Sequence, residues 1–182
     1  TKEGTVDFCS FSYYQTVCVN VTEEAEAIGS GKAAGNLISG FGVKNPYLEE
    51  SEWGWQIDAQ GLRYVLNLFY DRYQVPLMIA ENGLGARDTI EGGKVRDPYR
   101  IHYLKEHIRA LMQAMDDGVD VLGYFPWSVI DLVALSTGTM SKRYGLIYVD
   151  VDDEGHGTFK RIPKDSFYWY KKAIESNGED LD

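Results

Sequence analysis

The stretch that decides the fold reads Val75-Pro76-Leu77-Met78-Ile79-Ala80-Glu81-Asn82-Gly83. Leu77 to Ala80 is a short, continuously apolar run, which predicts a strand buried on both faces of a parallel sheet. The run ends on a carboxylate, Glu81, and the Asn82-Gly83 pair then turns the chain. An acid at the C-terminal tip of such a strand lies where barrel enzymes place their catalytic groups. A strand-end glutamate that bonds loop amides is the simpler alternative.

Four segments carry a longer pattern, in this order: Asp7–Tyr14 (DFCSFSYY), Pro76–Gly85 (PLMIAENGLG), Gly118–Asp131 (GVDVLGYFPWSVID) and Ser141–Asp150 (SKRYGLIYVD). Together they resemble the motifs of glycoside hydrolase family 1, the family of β-glucosidases and 6-phospho-β-glucosidases. The resemblance covers essentially the whole chain. Members of that family are complete (β/α)8 barrels of the TIM type. The resemblance therefore implies an α/β fold that is the C-terminal part of such a barrel, its strands six to eight.

Length and composition agree with a piece of a barrel. The chain has 182 residues, of which 44% are apolar and 13% aromatic, whereas a complete barrel usually takes about 250 residues or more. We therefore expect residues 1–182 to form about three βα units with an extra β-hairpin and no internal domain boundary. The chain begins at Thr1 rather than Met, which fits a piece of a longer protein.

The net charge and the cysteine content limit which partners and which cellular compartment are expected for the protein. A net charge of −10 argues against nucleic acid or an anionic membrane surface as a partner, since either needs a cationic patch. The sequence has no 18-residue apolar run and no signal peptide, so we expect no membrane span. Cys9 and Cys18 are the only cysteines, and a disulfide within one extended segment is geometrically unfavourable. The cytoplasm is therefore the expected compartment.

Periodicity and turn residues predict the order of elements. The strands are expected at Val6–Ser12, Leu77–Ala80 and Val119–Ser128, with a hairpin of Leu146–Val151 and Thr158–Ile162. Helices are expected from Asp58 to before Pro76, from Asp97-Pro98 to Gly118, and over Asp165–Ser176. Their predicted buried stripes are Leu62, Val65, Leu66, Phe69 and Tyr73; Ile101, Leu104, Ile108, Leu111, Met112 and Met115; and Phe167, Tyr170 and Ile174.

Two polar segments are interpreted as loops, Thr22–Gly42 and Arg87–Lys94. The first contains Gly31-Lys32, but Glu26 and Ala33 stand where a Walker phosphate loop requires Gly and Ser or Thr. An active-site or subunit-contact loop is the preferred interpretation of that segment.

The resemblance assigns the chemistry to Glu81 and Tyr14. Glu81 matches the nucleophile position of the family motif, and Tyr14 matches the tyrosine whose hydroxyl bonds the nucleophile. Strand alternation turns Tyr13 to the opposite face. A retaining glycosidase needs a second carboxyl group about 5–5.5 Å from the nucleophile, as general acid and base. The family supplies it from an Asn-Glu-Pro type motif, and this sequence has none, so the chain alone is expected to be inactive.

Substrate binding is expected at four further positions. Trp127 closes the Gly-Tyr-Phe-Pro-Trp-Ser segment, where the family tryptophan stacks on the sugar ring. Ser136, Lys142 and Tyr144 lie in a stretch that resembles the phosphate-binding loop of 6-phospho-β-glucosidases, and an ammonium with two hydroxyls suits a phosphate. Packing or surface roles are the simpler alternatives for these side chains. Arg143 is expected to pair with structural carboxylates.

No metal or other cofactor is expected. His102 and His107 are five apart on a helix and cannot act as a pair spaced by four would, and His156 falls in a turn. All three are expected at the surface.

The expected parent protein is a cytoplasmic, retaining 6-phospho-β-glucosidase that hydrolyses phosphorylated β-glucosides, such as cellobiose 6-phosphate, to glucose 6-phosphate. An unphosphorylated β-glucosidase is the first alternative, disfavoured because Val133-Ala134-Leu135-Ser136 replaces the Phe-Glu-Trp segment of that class. A 6-phospho-β-galactosidase is the second, disfavoured because Leu135 stands where those enzymes tend to have Trp. A non-catalytic partial barrel is the third. The fragment is expected to self-associate or to pair with the missing N-terminal part, because its edge strands lack neighbours.

Overall fold

The structure is a computed structural model, which describes residues 3–19 and 43–182. In chain order its elements are β1 (Cys9–Ser12), α1 (Ala59–Tyr73), β2 (Leu77–Asn82), β3 (Ile90–Glu91), β4 (Lys94–Val95), α2 (Pro98–Asp116), β5 (Val121–Pro126), β6 (Ile147–Val149), β7 (Arg161–Pro163) and α3 (Asp165–Glu175). The predicted order of strand, helix, strand, helix, strand, hairpin and helix is confirmed, except that a further short hairpin, β3–β4, lies between β2 and α2. The interpretation of Thr22–Gly42 falls outside the described residues.

A three-stranded parallel sheet organises the fold, with the strand order β1-β2-β5. Leu77 and Ile79 of β2 are fully buried beneath α1 and α2. Leu62 and Leu66 of α1 and Leu111 of α2 complete this core. Burial of these apolar side chains is the main force that holds the helices on the sheet. The result is a run of βα units whose strands all end at the same edge.

The central strand differs from its prediction in length and in burial. The strand reaches Asn82, so Glu81 lies within β2 rather than after it. Ala80 is exposed and Met78 is half-buried, so the prediction of burial on both faces is wrong. One face of the sheet packs on the helices, and the other is open among the described residues. The strand β1 is also shorter than expected, since it begins at Cys9.

Each helix begins where the sequence indicates. The Asp58 carboxylate accepts a hydrogen bond of 2.9 Å from the Gly61 amide, which caps the first turn of α1. Asp97 is the N-cap residue of α2 and Pro98 follows it, but the Asp97 side chain makes no capping bond. Its carboxylate instead contacts Arg100 and Ser166.

The predicted buried stripes are correct only in part. Tyr73 is 52% exposed at the end of α1. Met112, Met115 and Ile174 are exposed as well, because they line an open groove between α2, β5 and α3. The face of α2 that is buried carries polar side chains together with apolar ones: Arg100, Tyr103, Leu104, His107, Ala110, Leu111 and Ala114.

The prediction for His107 is also wrong, since this histidine was expected at the surface and is fully buried. Its Nδ1–H donates to the Tyr103 carbonyl at 2.8 Å, and its ring stacks on the Tyr103 ring with centroids 4.0 Å apart. Burial lowers the pKa of His107 to about 4. The other two histidines, His102 and His156, are exposed as expected.

Two antiparallel hairpins flank the sheet. The strands β6 and β7 form the predicted hairpin, but both are shorter than expected and β7 ends one residue later, at Pro163. The strands β3 and β4 form a second, very short hairpin at the end of the segment that was interpreted as a loop, and β4 runs one residue past it. Gly92 and Gly93 have φ of +58° and +77°, the left-handed backbone that a tight hairpin turn requires.

Candidate active site

The site lies at the C-terminal edge of the sheet, where the ends of β1, β2 and β5 meet. Backbone bonds tie these ends together: the Tyr13 amide donates to the Glu81 carbonyl at 2.9 Å, and the Trp127 amide donates to the Asn82 carbonyl at 2.6 Å. This edge of a parallel barrel is where enzymes of this architecture carry out chemistry.

Five of the six side chains predicted to form the site line one cavity there, whose volume is about 230 Å³. These five are Tyr14, Glu81, Trp127, Ser136 and Tyr144, and Trp55 and Leu135 complete the wall. The sixth, Lys142, reaches it through a hydrogen bond of 3.0 Å from its Nζ to Ser136 Oγ. The structure therefore brings all six predicted residues to one place.

Tyr14 and Glu81 form the predicted pair. The Tyr14 hydroxyl donates to Glu81 Oε2 at 2.9 Å. Burial, and then the neighbouring carboxylate, raise the pKa of Tyr14 far above its usual value, so the phenol stays a neutral donor. Tyr13 points elsewhere, as expected, and donates to the Asp58 carbonyl at 2.7 Å.

Asn82 fixes the backbone from which Tyr14 projects. Its side-chain amide donates to the Tyr13 carbonyl at 2.6 Å and to the Tyr103 hydroxyl at 3.0 Å. Tyr103 in turn donates to the Tyr14 carbonyl at 3.2 Å, and the Tyr124 hydroxyl donates to Asn82 Oδ1 at 2.5 Å. Every polar atom of the buried amide is thus satisfied from within the site, which holds the donor against the carboxylate.

Trp127 and Tyr144 approach each other across a glycine. A Cβ added at Gly83 would lie 3.3 Å from Trp127 Cβ and 3.5 Å from Tyr144 Cδ1. A side chain at position 83 would therefore crowd the Trp127 Cβ and lie in van der Waals contact with the Tyr144 ring. Trp127 is half-buried and lines the cavity.

The segment that carries Lys142 and Tyr144 rests on a buried network of charges. Arg143 contacts Asp131 at 3.1 Å, as predicted for this arginine, and its carbonyl accepts from Arg100 at 2.9 Å. Lys164 contacts both Asp88 and Asp131. Burial opposes ionisation of Asp88, but Arg100 and Lys164 hold its pKa below the usual value. The network fastens the Lys142–Tyr144 segment to the loop after β2 and to α3.

Sequence reasoning did not identify Trp55, which lines the cavity beside Glu81. Its ring lies 5.7 Å from that of Tyr14 and 6.4 Å from that of Tyr144. The available signal was Trp53-Gly54-Trp55, two tryptophans just before the Asp58 cap of α1.

Three kinds of feature are absent from the described ranges. The cavity contains no carboxylate besides Glu81 from residues 3–19 and 43–182. In the same ranges, no three Asp, Glu, His or Cys side chains converge as metal ligands would, and no helix is long and apolar enough to cross a bilayer.

Comparison with known proteins defines the class. The model of glycosyl hydrolase family 1 matches residues 2–179, and the chain belongs to this family. It is 58% identical, over 98% of its length, to a 6-phospho-beta-glucosidase of Dickeya chrysanthemi. It is 54% identical, over 99% of its length, to the aryl-phospho-beta-D-glucosidase BglA of Bacillus subtilis (strain 168). The chain spans 37% of the length of each of these relatives.

A solved structure gives the same answer for the fold. The family 1 β-glucosidase from Thermotoga maritima matches 98% of this chain with a TM-score of 0.79 and 32% identity. The match takes up 36% of that chain. The fold is therefore part of a family 1 (β/α)8 barrel, and the prediction of a partial barrel is confirmed.

Proposed function

We propose that this chain is the C-terminal, nucleophile-bearing part of a retaining 6-phospho-β-glucosidase, and that residues 1–182 act as one unit of its barrel. The substrate would be a phosphorylated β-glucoside, such as cellobiose 6-phosphate. Hydrolysis would release glucose 6-phosphate and the aglycone, or a second sugar. The names of the two phosphoglucosidase relatives support this assignment.

Glu81 is the proposed nucleophile. Its carboxylate would attack the anomeric carbon while the glycosidic bond breaks, and the departing oxygen would take a proton from the general acid. Water, deprotonated by the same acid/base group, would then release the sugar with its configuration retained. Tyr14 would orient the attacking carboxylate through its 2.9 Å hydrogen bond, and Trp127 would stack on the sugar ring.

Phosphate would be held by Ser136, Lys142 and Tyr144. The observation that carries the assignment is the Lys142 ammonium, which is 1% exposed and bonded to Ser136 at the cavity that contains Glu81. A buried charge is costly unless it is compensated, and a bound phosphate would compensate this one. The segment Val133-Ala134-Leu135-Ser136, whose last two residues line the cavity, contains no carboxylate to repel it.

The acid/base group must come from outside the cavity wall described here. We therefore propose that the chain works together with a segment that carries the remaining βα units, either in one polypeptide or as a paired chain. That assembly is called the complete enzyme below. The proposal includes a cytoplasmic location, which suits the two unpaired cysteines, Cys9 and Cys18.

The test compares an aryl β-glucoside 6-phosphate with the unphosphorylated aryl β-glucoside in the complete enzyme. Lys142→Met should raise KM about ten- to a hundred-fold for the phosphorylated substrate, since a charge-assisted bond is lost, and should barely change KM for the other. Glu81→Gln should abolish turnover of both.

Lys171→Ala, a change at an exposed lysine of α3, is the matched control and should alter neither substrate. Equal losses on both substrates from Lys142→Met would contradict the phosphate assignment and leave the glycosidase assignment intact. A 6-phospho-β-galactoside turned over faster than the glucoside would favour the galactosidase alternative.

A further inference from the structure

Two lysines within residues 3–19 and 43–182 are almost entirely buried, and their ammonium groups are compensated in different ways. The Nζ of Lys164 contacts the Asp88 carboxylate at 2.5 Å and the Asp131 carboxylate at 2.8 Å. The Nζ of Lys142 donates to the Ser136 hydroxyl, and no described carboxylate forms an ion pair with it. Lys164 is therefore neutralised within the fold, whereas Lys142 is not.

Aromatic rings surround Lys142 instead. Its Nζ lies 3.7 Å from the centroid of the Trp55 ring, 5.5 Å from that of Trp53 and 5.7 Å from that of Tyr144. The face of an aromatic ring carries negative potential and attracts a cation, most strongly for tryptophan. The rings thus offset part of the cost of burying the ammonium without cancelling its charge.

Gly85 confines the lysine to this arrangement. A Cβ at position 85 would lie 2.8 Å from Lys142 Cε and 2.9 Å from Lys142 Cγ, so the aliphatic stem runs directly over the glycine. The stem is held on one side by the Gly85 backbone, and the ammonium faces Trp55 on the other. The position of the charge is consequently fixed before any ligand binds.

Because rings rather than carboxylates surround Lys142, the site keeps a positive potential that attracts an anionic ligand. An aspartate beside Lys142 would cancel the positive potential that a phosphate needs, and a ring does not. Burial lowers the pKa of Lys142 to about 8. The ammonium therefore holds its proton less firmly than an exposed lysine does, and an adjacent ring face favours the protonated form.

We propose that Trp55 is a positioning residue of the phosphate site: its ring face holds the Lys142 ammonium in place, and charged, for the phosphate of the substrate. This inference rests on the proposed function, because it takes Lys142 as the phosphate-binding cation. Trp55 also lines the cavity with Glu81, so one side chain joins the place where phosphate is recognised to the place where the bond is cleaved.

The test measures kcat/KM for an aryl β-glucoside 6-phosphate and for the unphosphorylated glucoside in the complete enzyme. The ratio of the two values reports phosphate recognition alone. Trp55→Leu should lower this ratio about 3- to 30-fold, the range expected for loss of a cation–π contact, and Trp55→Phe should restore part of it. Trp127→Leu is the matched control, since Trp127 lines the same cavity without facing Lys142, and it should reduce activity while leaving the ratio unchanged.

The pH dependence gives a second readout, because loss of packing alone would expose the ammonium to water and move the rise in KM to higher pH, whereas loss of the ring face moves it to lower pH. In Trp55→Leu, KM for the phosphorylated substrate should begin to rise at a lower pH than in the parent, because leucine keeps the ammonium buried but removes the ring face that favours its charged form. Its titratable neighbour Tyr144 stays protonated, since burial raises the pKa of that phenol. Arg87 also faces this aromatic group, with its guanidinium 5.0 Å from the centroid of the Trp53 ring. The phosphate has its second pKa near 6, well below this range.

An unchanged ratio in Trp55→Leu, together with a lowered ratio in Lys142→Met, would overturn this inference and leave the proposed function standing. An unchanged ratio in Lys142→Met would overturn both. If Trp55→Leu does not fold, Trp55→Phe makes the same comparison: a lowered ratio supports the inference, and an unchanged ratio contradicts it.

Discussion

The hydroxyl of Tyr14 donates a hydrogen bond of 2.9 Å to Oε2 of Glu81, although the two residues are 67 positions apart in the chain. The contact exists because β1 and β2 are adjacent parallel strands whose ends lie side by side. Asn82 reinforces it by binding the Tyr13 carbonyl. A donor from one strand thus aims the carboxylate of the next.

Removal of this donor should slow the reaction without altering phosphate recognition. Tyr14→Phe is expected to lower kcat about 10- to 100-fold, the effect of losing one hydrogen bond to a charged group, and to do so equally for phosphorylated and unphosphorylated glucosides. Steady-state kinetics on the complete enzyme measure this. Tyr13→Phe is the matched control, because its hydroxyl bonds the Asp58 carbonyl instead; it should cost about 1 kcal/mol of stability and leave kcat unchanged.

Substitution of the two buried lysines should reduce the free energy of unfolding by very different amounts. Lys164→Met leaves Asp88 and Asp131 buried without their shared cation, so it should reduce the free energy of unfolding by about 3–5 kcal/mol. Lys142→Met leaves no carboxylate unpaired and should cost less than about 1 kcal/mol. Chemical denaturation of both variants measures the difference. Similar losses from the two substitutions would contradict the distinction between a structural and a binding lysine.

His107 should make stability depend on pH. Its pKa is about 4 in the folded chain and about 6.5 when unfolded. The unfolded state therefore binds more protons below pH 6.5, and stability is full above that pH and falls as pH drops toward 4. Between pH 7.5 and 5 the loss should be about 2 kcal/mol. His107→Gln, which cannot titrate, should flatten this slope, as measured by denaturation at each pH. A slope equal to that of the parent would show that other groups cause it.

The chain by itself should be inactive and prone to associate. The described cavity offers Glu81 but no second carboxylate, and loss of general acid catalysis typically removes about 10²–10⁴ in rate. The strands β1 and β5 have open edges among the described residues, and Leu122 and Phe125 on β5 are more than half exposed. Such edges favour self-association or pairing with the rest of the barrel. Turnover by the purified chain, or a clean monomer in light scattering, would contradict this expectation.

Most of the fold could be predicted from the sequence because its signals are local. The apolar run before Glu81, the Asp58 cap and the Asp97-Pro98 start each act within a few residues. The buried face of α2 could not be predicted in the same way. Arg100 is buried there because Asp88 and the Arg143 carbonyl, both distant in sequence, accept its hydrogen bonds. His107 is buried with its Nδ1–H on the Tyr103 carbonyl one turn away. Periodicity counts only apolar side chains and therefore misses both.

The sequence could predict those site residues that lie within recognisable motifs. Glu81, Tyr14 and Trp127 stand at strand ends, where alternation and motif agree. Trp55 was missed because it lies in an irregular segment before α1, and its contact with Lys142 spans 87 positions, which no spacing rule covers. The order of the strands in space, rather than any local pattern, brings the two together.

Trapping of the nucleophile tests the central claim most directly. The complete enzyme would be incubated with a 2-deoxy-2-fluoro-β-glucoside 6-phosphate that carries a good leaving group, and its peptides examined by mass spectrometry. The account predicts that a 2-deoxy-2-fluoroglucosyl group, with its phosphate at C6, becomes covalently attached to Glu81. This adduct should form much faster than the adduct of the unphosphorylated reagent, and Glu81→Gln should form none. A label on another residue, or equal labelling by both reagents, would contradict it.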